Sequence, residues 1–158
     1  MRKLQLPADR TFVDLGAGKG RVILLAIDAG FKKVVGIEFS DPLCRIAREN
    51  VERFRKARRS PDVRVQIVHS DVVQYRIQPD ECVFFMFDPF NAPVLKQTLE
   101  NMRLSVGAMP RQIWLIYHTP REHRIVADSK LFSTHERHVI GGTEFMVYSN
   151  RDAGGSNH

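Results

Sequence analysis

Short apolar runs alternate along the chain with segments whose apolar residues recur every three or four positions. The first pattern is typical of buried strands, and the second is typical of helices that lie against a sheet. Five runs predict strands, at residues 11–15, 33–39, 63–69, 82–87 and 112–117. The other segments predict helices at residues 21–29, 93–105 and 121–128, and one that opens at Asp41. This alternation predicts an α/β fold with a mainly parallel sheet.

The C-terminal part of the chain follows a different pattern. Residues 132–140 and 143–149 flank Gly141-Gly142, and two glycines between such runs predict a β-hairpin. The last strand would then run antiparallel to its neighbour within the sheet. The hairpin completes a predicted doubly wound, mainly parallel sheet of seven strands. We expect one domain at residues 1–150 and a flexible tail at 151–158.

The composition is that of a globular protein with one substantial core, since the chain has 158 residues. No apolar run reaches the ~18 residues that a membrane span requires, and the N-terminus has no signal-peptide pattern. Cys44 and Cys82 are the only cysteines, and the six histidines include no pair at helical metal-ligand spacing. We therefore exclude a disulfide framework and a four-cysteine zinc site. We expect a cytoplasmic protein with no metal and no membrane partner.

The net charge is +6, and the basic excess is concentrated in residues 45–64. Such a segment favours either an anionic partner such as RNA or a solvated helix face. Phe54 is the only aromatic residue among these charges, whereas surfaces that bind single strands combine charge with several aromatic rings. We therefore favour the solvated face over a nucleic-acid footprint.

The strongest local signal is the run Asp14-Leu15-Gly16-Ala17-Gly18-Lys19-Gly20 between the first strand and the first helix. Glycines let a ligand approach the backbone closely, and the helix N-terminus offers unpaired N–H groups at the carboxyl edge of the strand. A dinucleotide-binding loop would need its third glycine at Arg21 or Ile23, and a phosphate loop of the G-x-x-x-x-G-K-[ST] type is absent.

The spacing Asp-x-Gly-x-Gly-x-Gly resembles the first motif of class I S-adenosylmethionine-dependent methyltransferases, which have a seven-strand, Rossmann-like fold. The run is similar to small stand-alone bacterial members and to the seven-strand protein-lysine methyltransferase type. Acids follow the second and third predicted strands, as in that family, and the resemblance extends over residues 11–149. It implies S-adenosylmethionine as cofactor, bound by Asp14, Gly16, Gly18, Gly20, Glu38, Asp71 and Val72.

The resemblance also implies a role for each of these residues. The glycines approach the methionine portion of the cofactor through their backbone, and Asp14 orients the turn and helps to receive the cationic amino group. Glu38 accepts hydrogen bonds from the ribose hydroxyls. Asp71 binds the adenine amino group, and Val72 meets the adenine edge through its backbone.

The fourth predicted strand ends in Asp88-Pro89-Phe90-Asn91, where the family places the loop that meets the transferred methyl group. The run departs from the [Asp/Asn]-Pro-Pro-[Tyr/Phe] loop of amino-methyltransferases, since it has one proline and an early aromatic residue. We predict a nitrogen nucleophile on a protein, lysine-like, or on a small molecule, with Asp88 and Phe90 as catalytic residues. A plain strand-ending turn is the alternative.

Other aromatic residues of the strands are expected in the core, among them Phe84, Phe85, Phe87 and Trp114. We expect His118 to bond a neighbouring loop. Ten residues precede the first strand, so the sequence predicts no N-terminal lid helix, and a homo-oligomer is one way to complete a lid. Two further functions stay open: a non-catalytic cofactor-binding module, and an RNA-associated methyltransferase that uses residues 45–64.

Overall fold

The computed structural model describes residues 4, 6–58, 62–87 and 90–150. The strands are β1 (Thr11–Leu15), β2 (Lys33–Glu38), β3 (Arg64–His69), β4 (Glu81–Phe87), β5 (Trp114–His118), β6 (Thr134–Ile140) and β7 (Thr143–Ser149). The helices are α1 (Arg21–Asp28), α2 (Asp41–Arg58), α3 (Ala92–Ala108) and α4 (His123–Asp128). The strands form a seven-stranded sheet in the order β3-β2-β1-β4-β5-β7-β6. This order, with β7 antiparallel to both of its neighbours, confirms the predicted fold class.

The chain divides into two compact units, residues 1–75 and residues 76–158. In the first unit, β2 pairs in parallel with both β1 and β3. All five residues of β1 are buried, as a strand covered on both faces requires. A Cβ at Gly36 in β2 would collide with the Ile23 side chain of α1 and lie 3.0 Å from Cβ of Ala17. The glycine therefore lets α1 and the loop before it pack closely on the sheet.

In the second unit, β4 and β5 pair in parallel, and β7 pairs antiparallel with both β5 and β6. Gly141 and Gly142 join β6 to β7 with φ of 60° and 78°. Two residues at positive φ match the type I′ turn that suits the twist of a hairpin. The predicted hairpin and its antiparallel last strand are confirmed.

One of the expected core positions is wrong. Phe87 is 56% exposed, although residues Glu81–Met86 of the same strand are all buried. It is the last residue of β4, and an unbroken apolar run carries no signal of where the covering elements end. Among the described residues, no helix is long and apolar enough to cross a membrane.

Candidate functional site

The glycine loop between β1 and α1 has three glycines at positive φ, Gly16 (83°), Gly18 (54°) and Gly20 (82°). L-residues with a side chain rarely adopt this conformation, so the loop requires glycine for its path. A Cβ built on Gly18 meets no atom within 4 Å, which leaves open space on that side of the loop. The loop therefore combines a fixed path with a face that a ligand can approach.

Helix α2 holds the C-terminal half of this loop. The Nδ2 atom of Asn50 donates to the carbonyl oxygen of Lys19 at 3.0 Å. A Cβ at Gly20 would lie 3.3 Å from the Cβ of Ala47, so the close approach of loop and helix also depends on this glycine. These contacts fix the loop from a helix about 30 residues further along the chain. No local sequence pattern predicts them.

Glu38 at the end of β2 holds the loop from the other side. Its Oε2 accepts a hydrogen bond from the N–H of Gly18 at 2.8 Å, and its Oε1 accepts one from the N–H of Ser40 at 2.8 Å. Each carboxylate oxygen has a second lone pair, so these bonds leave room for hydroxyl donors. Glu38 therefore positions the loop, and its role at a ribose stays a prediction.

Asp14 is the buried acid at the start of the loop, with 2% of its surface exposed. Within the described part of the chain, its Oδ2 atom is buried and has no hydrogen-bond partner. Burial, and secondly the charge of Glu38, raises the pKa of Asp14 from 3.8 to about 7. A buried carboxylate without a partner is costly. The site is therefore well suited to a ligand that brings a cationic donor to Asp14.

The turn after β3 carries the predicted adenine contacts. The Oδ1 atom of Asp71 accepts a hydrogen bond from the N–H of Val73 at 3.0 Å, which shapes the turn. The N–H of Ser70 donates to the carbonyl oxygen of Glu38 at 3.0 Å and so joins this turn to the end of β2. Val72 is buried, and in the described structure its N–H has no acceptor. The turn thus offers one carboxylate oxygen and one backbone donor to a ligand.

Phe39 is a residue of this site that the sequence interpretation missed. It follows Glu38 directly, and its side chain is 73% exposed. Its carbonyl oxygen lies 2.8 Å from Nε2 of His69, which ties it to the end of β3. An exposed phenylalanine ring offers a flat apolar face on which a planar ring can stack. The sequence signal that could have identified Phe39 is an aromatic residue directly after the acid that ends a strand.

The predicted catalytic residues follow β4 along the sequence. Asp88 and Pro89 are outside the described residues. Phe90 is half-buried and precedes Asn91, whose Oδ1 accepts from the N–H of Val94 at 3.1 Å and caps α3. The run therefore leads directly into a capped helix. The catalytic roles of Asp88 and Phe90 stay predictions.

His118, the last residue of β5, lies among aromatic rings of the second unit. Its Nδ1 is 3.1 Å from the hydroxyl oxygen of Thr119. Its ring centroid is 4.4 Å from that of Phe87 and 4.6 Å from that of Phe145. The expected bond to a neighbouring loop is thus made with the next residue.

The basic segment is extensively ion-paired. Four of its cations lie 3.2 to 3.7 Å from carboxylates: Arg45 with Asp41, Arg53 with Glu49, Lys56 with Glu52 and Arg58 with Asp28. Such pairs are characteristic of an exposed helix face, where each contributes little to stability. The described residues contain no group of histidines, cysteines and acids that could hold a metal ion.

Comparison with known proteins adds a family match. Residues 1–72, slightly less than half of the chain, match a family model described as histone methylation protein DOT1. The matched residues include the glycine loop, so the match agrees with the resemblance of that loop to methyltransferases. A search of curated proteins finds no match.

Solved methyltransferase structures share the fold. An RNA methyltransferase from Salinibacter ruber, solved with S-adenosyl-L-homocysteine, has a TM-score of 0.63 at 18% identity over 95% of this chain and 88% of that chain. The chain has the class I methyltransferase fold. Precorrin-6y C5,15-methyltransferase from Geobacter metallireducens has a TM-score of 0.69 at 14% identity, over 95% of this chain and 84% of that one. Ribosomal protein L11 methylase from Lactobacillus delbrueckii has a TM-score of 0.66 at 14% identity, over 96% of this chain and 75% of that chain.

The three similar structures are named for an RNA, a precorrin and a ribosomal protein. One fold thus serves acceptors of different chemistry, and the fold does not select among them. Taken together, the family match and the fold support an S-adenosylmethionine-dependent methyltransferase and leave the methyl acceptor undetermined.

Proposed function

We propose that the protein transfers a methyl group from S-adenosylmethionine to a nitrogen nucleophile, on a protein or a small molecule. The observation that carries the proposal is the buried Asp14, whose Oδ2 has no partner in the described structure, at the start of the open glycine loop. A cofactor with a cationic amino group supplies the missing donor. The same cofactor supplies an electrophilic methyl group on a sulfonium.

The residues of the first unit fit the cofactor in three places. Asp14 receives the amino group, and the open face of Gly18 admits the methionine portion. Glu38 keeps lone pairs for the ribose hydroxyls while it holds the loop. The backbone N–H of Val72, free of a described acceptor, and the exposed ring of Phe39 are suited to an adenine ring.

On the acceptor side, Asp88 accepts the proton of the target nitrogen, and Phe90 follows it two positions along the chain. Methyl transfer is an in-line displacement, so the residues that orient the nucleophile supply much of the rate. A positioned carboxylate contributes about 10²–10⁴-fold as general base. Asp88→Asn keeps the size of the side chain and removes its basicity.

The test has a binding step and a transfer step. Calorimetry with S-adenosylhomocysteine is expected to give one site per chain, and tritiated methyl transfer is then screened on protein, RNA and small-molecule fractions of a cell extract. Asp88→Asn should bind S-adenosylhomocysteine like the wild type and transfer label at least ~100-fold more slowly. The absence of binding by the wild type contradicts the proposal. Binding without transfer to any fraction favours a non-catalytic cofactor-binding module.

A further inference from the structure

An aromatic surface lies at the carboxyl ends of β4 and β5 in the second unit. Phe87 and His118 are partners in the register of these strands, and their rings are 4.4 Å apart and tilted by 36°. The ring of Phe145 on β7 packs edge-on against His118 at 4.6 Å and 72°. Phe87, His118 and Phe145 form an aromatic platform, and the ring of Phe87 is its most exposed part.

The platform opens into a cavity of about 570 Å³. Beyond Phe87 and His118, its wall includes Thr119, Arg121 and Glu144. Volumes of a few hundred Å³ are typical of sites for small molecules. The cavity combines an aromatic floor with hydroxyl and charged groups at its rim, so it can both stack and orient a ligand.

Thr119 in the wall of this cavity has a φ of 53°, a conformation that is strained for a β-branched residue. The N–H of Thr119 donates to the carbonyl oxygen of Glu144 at 3.0 Å, and its hydroxyl oxygen lies 3.1 Å from Nδ1 of His118. Backbone strain of this kind persists where the surrounding structure enforces it, and it is concentrated at functional sites. Here the hydroxyl of the strained Thr119 holds the imidazole of His118 beside the ring of Phe87.

The charges of the cavity disfavour a cationic ligand. Burial lowers the pKa of His118, which favours the uncharged form of this imidazole. Glu144 is engaged by Nε and Nη2 of Arg137 at 2.9 and 3.2 Å. The described wall therefore contains no carboxylate that lacks a cation, and Arg121 adds a positive charge. An ammonium group would therefore compete with Arg137 for Glu144, whereas an uncharged planar ring needs no counter-charge.

We propose that the aromatic platform binds the planar base of a nucleoside, either free or in single-stranded RNA, as the methyl acceptor. This inference rests on the proposed methyl transfer to a nitrogen nucleophile, assigns that nitrogen to a heterocyclic base, and adds an RNA strand to the acceptors proposed above. Every nucleobase has a face that stacks on an aromatic side chain. The Nε2 atom of His118, which has no partner in the described structure, supplies one hydrogen bond to the edge of the base.

The test uses the full chain and a single-stranded RNA octamer of mixed sequence, followed by fluorescence anisotropy. A second octamer carries abasic sugars, so the two probes differ only in their bases. About 0.3 M salt weakens the phosphate contacts, which are steeply salt-dependent. We expect the wild type to bind the intact octamer at least about fivefold more tightly than the abasic one, with and without S-adenosylhomocysteine.

Phe87→Leu should remove this preference for bases, and His118→Gln should reduce it. Leu104→Ala is the matched control, because Leu104 is a similarly exposed apolar residue of the second unit, on α3. Equal binding of the two octamers by the wild type would overturn the proposal, and so would an unchanged preference in Phe87→Leu. Binding of a lysine-containing peptide that depends on Phe87 would overturn it in favour of a protein acceptor.

Two further experiments identify the source of the base and separate base binding by the platform from the proposed methyl transfer. Displacement of the octamer by cytidine indicates a free nucleoside, and failure to displace indicates an RNA strand; both outcomes support base binding. Calorimetry with S-adenosylhomocysteine should give the same affinity in Phe87→Leu as in the wild type. If the wild type does not bind S-adenosylhomocysteine, the proposed function fails, while the base preference measured without it still decides the role of the platform.

Discussion

At the end of β1, the first unit builds its candidate site from glycines and from hydrogen bonds to backbone atoms. At the ends of β4 and β5, the second unit builds its surface from side chains. The glycine loop follows its path because three glycines adopt positive φ and because Glu38 and Asn50 bind loop backbone atoms. In the second unit, Thr119 adopts a positive φ without being glycine, and the surface is formed by the exposed ring of Phe87 with the half-buried rings of His118 and Phe145. Backbone recognition suits a ligand that stays the same, and side-chain recognition suits one that differs among related enzymes.

The largest effect expected is on the pH dependence of stability, through Asp14. Its pKa is about 7 in the folded protein and near 3.8 when unfolded, so between these values the folded state holds a proton that the unfolded state releases. The free energy of unfolding therefore decreases as the pH rises through this range and levels off above about 7. Asp14→Asn should remove this dependence.

Urea unfolding of the wild type and of Asp14→Asn at pH 5 and pH 8 measures this pH dependence of stability. The stability of Asp14→Asn relative to the wild type should rise by about 3 kcal/mol over this interval, since one pKa unit corresponds to ~1.4 kcal/mol. Asp9→Asn, at an exposed position of the same unit, should leave the profile unchanged. A relative stability of Asp14→Asn that does not vary with pH contradicts a raised pKa.

Gly18→Val tests whether the ligand approaches the loop backbone. The branched side chain would occupy the open face of the loop, and we expect affinity for S-adenosylhomocysteine to fall at least ~100-fold, or about 2.7 kcal/mol. Gly141→Val is the matched control: Gly141 also has a positive φ and open space around its Cβ position. Both variants carry similar strain, so a loss of affinity that is equal in the two would assign the effect to stability rather than to the site.

Glu38→Ala tests the second element that holds the glycine loop. It removes two backbone hydrogen bonds and the partner for the ribose, and should weaken S-adenosylhomocysteine binding by ~1.5–3 kcal/mol in calorimetry. Glu49→Ala removes an exposed acid of α2 and should have no effect on binding. Unchanged affinity in a folded Glu38→Ala protein would exclude Glu38 from the cofactor site.

The smallest effect expected is in the second unit, at Thr119. Asparagine adopts positive φ more readily than a β-branched residue, so Thr119→Asn should raise the free energy of unfolding by ~1 kcal/mol. Thr143→Asn is the control, because Thr143 lines the same cavity without positive φ. Stabilisation by Thr119→Asn accompanied by weaker RNA binding would sharpen the contrast between the units. A stability equal to or below that of the wild type would show that the threonine is not strained.

Local patterns were sufficient for much of the first unit. The strand at Thr11–Leu15 was predicted with its observed bounds, because a run of buried apolar residues ends at a glycine turn. The positive φ of Gly16, Gly18 and Gly20 accords with their role as turn residues. The contact between Asn50 and Lys19 was not predicted, because it joins residues 31 positions apart that carry no common pattern.

Local patterns predict less of the second unit, because its surface depends on tertiary packing. The apolar run of β4 predicted burial of Phe87, but burial depends on which elements cover the last residue of a strand. The register that brings Phe87 beside His118 is set by the pairing of β4 with β5, over thirty positions of sequence. The aromatic platform therefore becomes visible only after the strands are placed, whereas the glycine loop can be identified from the sequence.

The contact of α2 with the glycine loop makes this helix a reporter of loop occupancy. Asn50 and Ala47 touch the loop at Lys19 and Gly20, so the loop and the middle of the helix resist opening together. A ligand that binds only the closed loop lowers the population of the open form, and with it the rate at which helix amides exchange with deuterium. Amide exchange along α2 thus reports ligand binding at the loop through the contacts of Asn50 and Ala47.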